Sequence, residues 1–394
     1  MQQTPHPVPP NDGRAAALRS LAPVFYYFFV GGIVTVMLGP LLPVFIQRWN
    51  ILDSQAGTLF AVNFAGQLCG ALFAARNLRI SVILGALLSA IGCAFLAWAS
   101  FSTAPLALFC VGLGIGSGLT AGNIIAGTAI PALRGRLIAM LNVAWGIGAI
   151  SCPLLVHVFG STDVRPFLLI TAVALFASAI FTITLPPPTG EPSRPAITQP
   201  TKRRRMPLPM PMLFFFTASM LLYIGIENAL GGWLPSYAVR LDPAIQASTI
   251  TLYFWTAELI GRLLVTALMI RFSEAFLYRT SLLLLLITTT LFCTLVHPSS
   301  GSLMTMTFLS ALTLAPLYPL MISLLLARTG THPQLGLLFS VTSLGGAALP
   351  WLTGVVSTHF NHLRAGLAVP ALGVLALLSL ASSITSKPSP ASET

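Results

Sequence analysis

Acidic residues are almost missing from this chain: Asp and Glu together number 9 in 394 residues, and all charged types make up only 7%. So little charge cannot cover a soluble protein of this length, and with 55% hydrophobic residues and a mean hydropathy of +0.86 a soluble globular fold is excluded. The five cysteines (Cys69, Cys93, Cys110, Cys152 and Cys293) are odd in number, lie inside apolar runs and lack metal-ligand spacing, which argues against a disulfide framework and a metal site. No G-x-x-x-x-G-K-[ST] sequence occurs, so ATP-driven chemistry has no support, and no cofactor is expected. The six histidines (His6, His157, His297, His332, His359 and His362) fall at loops or helix ends, and no nucleophile with a neighbouring base is visible, which removes the basis for a membrane enzyme. The net charge of +11 is scattered between apolar runs and forms no face for nucleic acid.

Long apolar runs fill the rest of the chain. A hydrocarbon core about 30 Å thick needs roughly 20 helical residues, and twelve runs meet that length: 21–47, 54–75, 80–99, 103–130, 137–159, 166–185, 210–238, 246–270, 280–296, 301–327, 334–358 and 365–385. Backbone groups in lipid must bond within their own segment, so the expected class is an all-α integral membrane protein of twelve transmembrane helices. The proline-rich residues 1–20 read as a disordered cytoplasmic tail, and the first run is too long for a cleavable signal.

Arg and Lys in alternate loops test the count. One side collects Arg14, Arg19, Arg76, Arg79, Arg134, Arg136, Arg194, Lys202, Arg203, Arg204, Arg205, Arg271, Arg279, Arg328 and Lys387, while the other holds Arg48, Arg165, Arg240 and Arg364. That asymmetry puts both termini in the cytoplasm of a plasma membrane, read as a bacterial inner membrane, in contact with the lipid bilayer. Residues 186–209, rich in proline and carrying Lys202 to Arg205, form a cytoplasmic linker between six-helix halves at 21–185 and 210–385, with a short tail at 386–394. The halves echo each other. Gly39-Pro40-Leu41-Leu42-Pro43 parallels Gly231-Gly232-Trp233-Leu234-Pro235, Phe64, Gln67 and Gly70 parallel Trp255, Glu258 and Gly261, and Pro153-Leu154-Leu155 parallels Pro350-Trp351-Leu352, at offsets of 192, 191 and 197.

Function should centre on the stretch Tyr223 to Tyr237, which carries Glu227 inside a segment otherwise fit for lipid. An ionised carboxylate there costs several kcal/mol unless paired, hydrated or protonated, so it should face a cavity or another helix and could carry a proton. No basic residue lies within a turn of it, and Gly225, Gly231, Gly232 and Pro235 should weaken the helix into an irregular site wall. Glu258 is the second acid within a predicted span; Arg262 lies four residues on, where the two can pair, and is a candidate for gating. Asn63, Gly66, Gln67 and Gly70 share one helical face, as do Asn142 with Trp145 and Trp255 with Glu258 and Arg262. Such faces suit a polyhydroxylated ligand, although polar groups also join helices to one another. The glycines at 112, 114, 116, 118, 146 and 148 read as helix-packing positions.

Twelve spans in two repeats with a basic central loop resemble the major facilitator superfamily over roughly residues 20–385. The segments G-I-E-N-A-L-G-G-W-L-P-S-Y (Gly225 to Tyr237), A-E-L-I-G-R (Ala257 to Arg262), A-P-L-Y-P (Ala315 to Pro319) and L-G-G-A-A-L-P-W-L-T-G (Leu344 to Gly354) resemble its fucose and glucose permease-like branch. They add Asn228, Trp233 and Trp351 to the candidate substrate contacts. The resemblance implies a rocker-switch carrier with substrate bound at mid-membrane between the halves. The function expected is a monomeric carrier of a small polar solute such as a sugar, driven by an ion gradient, with protons as the candidate ion, or by the substrate's own gradient. Two departures stand out. Ala74-Ala75-Arg76-Asn77-Leu78-Arg79 lacks the acid of the superfamily's loop signature, and Thr35 and Asn123 stand where fucose permeases use carboxylates. Proton coupling would therefore have to run through Glu227 or Glu258, or be absent. An exporter of amphipathic compounds and a non-transporting sensor are the alternatives.

Overall fold

The structure is a computed structural model that describes residues 18–74, 77–160, 163–184, 209–329, 338 and 341–385. The tail before 18, the linker at 186–208, the tail after 385 and the start of the eleventh expected span lie outside the described residues. Among the described residues the chain is helical: α1 (Ala22–Val36), α2 (Leu38–Trp49), α3 (Asp53–Phe73), α4 (Leu78–Trp98), α5 (Ala104–Ala129), α6 (Arg134–Phe159) and α7 (Val164–Thr184) form the first half. The second half holds α8 (Met210–Leu241), α9 (Ala247–Leu268), α10 (Glu274–Thr294), α11 (Ser300–Leu314), α12 (Leu317–Thr329), α13 (Leu344–Phe360), α14 (Leu363–Gly366) and α15 (Ala368–Thr385). Among the described residues eleven helical stretches are long and apolar enough to cross a membrane; α13, in the eleventh expected run, has 17 residues described.

Several boundaries differ from expectation. The first span breaks at Met37 into α1 and α2, and the tenth breaks at Ala315 and Pro316, because a proline ring blocks the hydrogen bond of the preceding turn. The ninth begins at Glu274, where Ser273 Oγ accepts from Phe276 N–H, so Arg279 sits inside the helix and not in a loop. The stretch around Glu227 is not irregular: α8 runs unbroken for 32 residues through Gly225, Gly231, Gly232 and Pro235. Its glycines serve close approach instead. A Cβ on Gly39 of α2 would stand 2.5 Å from the Gly231 carbonyl oxygen, so the two backbones touch only because side chains are missing.

Glycine also seals α3 against α5. A Cβ on Gly66 would strike the Phe109 carbonyl, and one on Gly112 would strike that of Asn63. The two halves repeat one packing device at the face where the described residues begin and end: Arg79 of α4 donates to the Thr182 and Ile183 carbonyls at the end of α7, at 2.9 and 3.1 Å, and Arg279 of α10 donates to Thr385 Oγ1 at the end of α15, at 2.6 and 3.1 Å. Cations suit these positions because unpaired carbonyls leave negative potential at a helix C-terminus.

The halves meet toward the opposite, far face. There α2 packs on α8, α3 on α13 and α6 on α9. Phe60 fills the notch at Gly232, and Trp233 and Phe60 lie 6.2 Å apart.

Candidate functional site

At mid-depth, α8 and α9 bring two carboxylates to one guanidinium. Arg262 Nη2 lies 2.5 Å from Glu258 Oε1, its partner one turn back on α9, and 3.4 Å from Glu227 Oε1 on α8. Tyr223, one turn below Glu227, donates its hydroxyl to the same Oε1 at 2.7 Å, and its ring stacks on Tyr318 of α12 at 5.4 Å. Glu258 is buried and the Glu227 side chain nearly so, which removes the water that would otherwise screen their charges. Glu227 thus has a basic partner after all, supplied by a neighbouring helix; its own helix offers none.

The first half contributes one aromatic. Trp145 of α6 presents its ring 5.8 Å from the Arg262 guanidinium carbon and 5.6 Å, edge-on, from the Trp255 ring of α9. A Cβ on Gly146, beside it, would rest 3.6 Å from Leu259 Cδ1, so α6 and α9 sit close here without a clash. This is where the two halves touch at the level of the acids. One guanidinium balances one carboxylate. With both acids ionised the cluster carries a surplus negative charge, which a proton on either carboxylate or a cationic ligand would neutralise.

The other expected site residues are placed differently. Asn63 is buried under Gly112, with its carboxamide oxygen unpaired, and Gln67 is half-buried over Gly116: the face they share with Gly66 and Gly70 is the α3–α5 packing seam. Asn142 and Asn228 turn their amide nitrogens back onto their own helices, to the carbonyls of Ile138 at 2.9 Å and Ile224 at 2.8 Å. Trp233 is fully buried and donates its indole N–H to the Pro350 carbonyl at 2.9 Å, which fixes α8 to α13. Trp351 is 43% exposed, with its backbone against Gly57. Among the described residues, Asn63, Gln67, Asn142, Trp233 and Trp351 make no hydrogen bond, ion pair or ring contact with the carboxylate cluster.

A second charged group joins the halves at the far face. Asp53, in the first turn of α3, accepts two hydrogen bonds from Arg240 near the end of α8, at 2.8 and 2.5 Å, and one from Ser357 of α13 at 2.5 Å. Beside it the Ser54 N–H donates to Thr358 Oγ1 at 2.8 Å, and His157 of α6 bonds Gln246 ahead of α9. Glu227 and Glu258 are therefore not the only buried acids: Asp53 falls one residue short of the predicted second span, and Arg240 counted there as a loop charge. The clue in the sequence was an acid and a base at the matching ends of spans two and seven, on the side with few charges.

A family model described as the Major Facilitator Superfamily matches residues 24–334. Bypass of stop codon protein 6 of Saccharomyces cerevisiae is 26% identical over 377 residues, covering 84% of this chain and 75% of that one. The glucose/mannose transporter GlcP of Bacillus subtilis is 25% identical over 359 residues, covering 84% and 86%. Among solved structures, a bacterial homologue of the human lysosomal transporter Spinster, inward-facing and occupied, superposes with a TM-score of 0.75 at 16% identity, covering 97% of this chain and 100% of that one. A D-xylose-proton symporter superposes with a TM-score of 0.70 at 16% identity, covering 92% and 96%.

Proposed function

The chain belongs to the Major Facilitator Superfamily, a multi-pass membrane transporter and not an enzyme, and from that premise we propose that it moves a small polar solute, a sugar or related compound, by alternating access coupled to protons. The observation that carries this reading is the Glu227–Arg262–Glu258 cluster at mid-depth, met by Trp145 from the opposite half. A carrier needs its ligand site where both halves can reach it, and an aromatic ring beside a charged hydrogen-bonding group is the lining a sugar uses. The similarity to a glucose/mannose transporter supports the substrate class. We assign Glu227, Glu258 and Arg262 to coupling, Trp145 and Trp255 to substrate contact, Asn142 and Asn228 to the margin of the site, and Asn63, Gln67, Trp233 and Trp351 to helix packing. We place both termini in the cytoplasm, the halves at 21–185 and 210–385, and the far face outside, with the protein acting as a monomer.

The test is transport by purified protein in proteoliposomes, for a panel of hexoses and pentoses beside lipophilic cations. Glu227→Gln preserves size and hydrogen bonding but cannot release a proton. It should keep sugar exchange while losing accumulation against a gradient, at mildly acidic and mildly alkaline pH alike. Transport of the cations alone would favour an amphipathic exporter, and unchanged accumulation by the variant would remove Glu227 from coupling.

A further inference from the structure

Two buried donors in the cluster have no acceptor among the described residues. Trp255 is 6% exposed, yet its indole N–H is unpaired, and so is the Nε–H of Arg262, whose guanidinium elsewhere serves two carboxylates. A buried N–H without an acceptor carries its full desolvation penalty, so native structures almost always match it with a protein group, water or ligand. Both side chains pack on one residue of the other half: the Trp145 ring meets the Trp255 ring edge-on at 5.6 Å and lies 5.8 Å from the Arg262 guanidinium carbon. Beside them α8 passes close: a Cβ on Gly231 would come within 3.3 Å of Phe254 Cε1 and 3.5 Å of Trp255 Cζ2.

On the reading of this cluster as the substrate site, we infer that the Trp255 N–H and the Arg262 Nε–H donate to oxygen atoms of the bound substrate, and that they select an oxygen-rich neutral ligand over an organic cation. A hydroxyl or carbonyl oxygen satisfies donors that nothing in the protein satisfies. An organic cation would leave both donors unmatched, even where it offsets the surplus negative charge of the two carboxylates. Selection of this kind is steep, because a ligand lacking the oxygen restores the penalty of the empty site.

Trp255→Phe tests this, since it keeps an aromatic ring and removes only the donor-bearing part. Tyr278→Phe is the control: its hydroxyl is equally buried and unpaired, but it lies on α10 away from the cluster. Thermal stabilisation of the purified full chain is titrated with D-glucose, D-mannose, L-fucose and D-xylose, with their deoxy analogues, and with tetraphenylphosphonium. Trp255→Phe gives up ring packing along with the unpaired donor and should melt somewhat lower without ligand; measured against its own unliganded melting temperature, it should bind the stabilising sugar about tenfold more weakly. Tyr278→Phe should bind it as wild type does. One deoxy analogue should lose affinity in wild type and lose nothing further in Trp255→Phe, identifying the oxygen. Equal sugar affinity in wild type and Trp255→Phe overturns the inference while leaving the sugar reading intact. Stabilisation of wild type by the cation alone, or by no sugar, overturns the sugar reading and the inference with it.

Discussion

Arg262 shares one guanidinium between Glu258 at 2.5 Å and Glu227 at 3.4 Å, so the three substitutions at this cluster should not cost the same. Glu227→Gln leaves the closer pair intact and should fold with a melting temperature near that of wild type. Arg262→Met removes the cation that pairs with two buried acids, and an uncompensated buried charge costs about 3–5 kcal/mol. It should show the largest loss of melting temperature, partly recovered in the double variant with Glu258→Gln. If Arg262→Met melts as wild type does, the carboxylates are solvated and the cluster is not a coupled unit. Glu227 was legible from sequence because an acid in an apolar run has few bland explanations. Its partner was not, because Arg262 is 35 residues away and reaches it only once α9 lies beside α8. Asp53 escaped notice for a related reason: at the first turn of a span, an acid looks the same in sequence whether it caps the helix in water or pairs across an interface.

Helices were legible where apolar length sets them and less so where packing decides. Eleven of the apolar runs coincide with helices long enough to cross among the described residues, yet the breaks at Met37 and Ala315 and the continuity of α8 depend on neighbours. A glycine reads alike whether it loosens a helix or lets another press against it. The face shared by Asn63, Gly66, Gln67 and Gly70 makes the point: its period was right and its occupant was α5, not a cavity. Gly112→Val should therefore lower folded yield sharply, since overpacking a close seam costs about 1–3 kcal/mol or more. Gly135→Ala has nothing within 4 Å of its new methyl group and lies in α6. It should leave the melting temperature unchanged or raise it, by up to about 1 kcal/mol of helix propensity. Equal yields for both variants in detergent extracts would show that α3 and α5 are not tightly joined.

The whole molecule is held closed at the far face by contacts between its halves, and Asp53 is their polar centre, accepting from Arg240 and Ser357 beside the Ser54–Thr358 bond. If the carrier alternates, these bonds must break each time that face opens, and their strength sets part of the equilibrium between states. Asp53→Asn keeps the shape and gives up the charge. A hydrogen bond to a charged group contributes about 1.5–3 kcal/mol, so losing about 2 kcal/mol would shift the equilibrium toward far-face opening roughly thirtyfold. The opposite constraint comes from cysteines at Ser54 and Thr358, whose oxidation should fix the far face closed. The paired cysteines should stop exchange of the stabilising sugar when oxidised and restore it on reduction. Asp53→Asn should in turn speed labelling, by an impermeant thiol reagent added outside, of a cysteine at Ser236, which is buried on α8 near this face. Labelling at the wild-type rate would mean that the apolar seam of Phe60, Trp233 and Gly232 holds the face shut without the ion pair. Faster labelling only when the reagent reaches the other side of the membrane would reverse the proposed orientation.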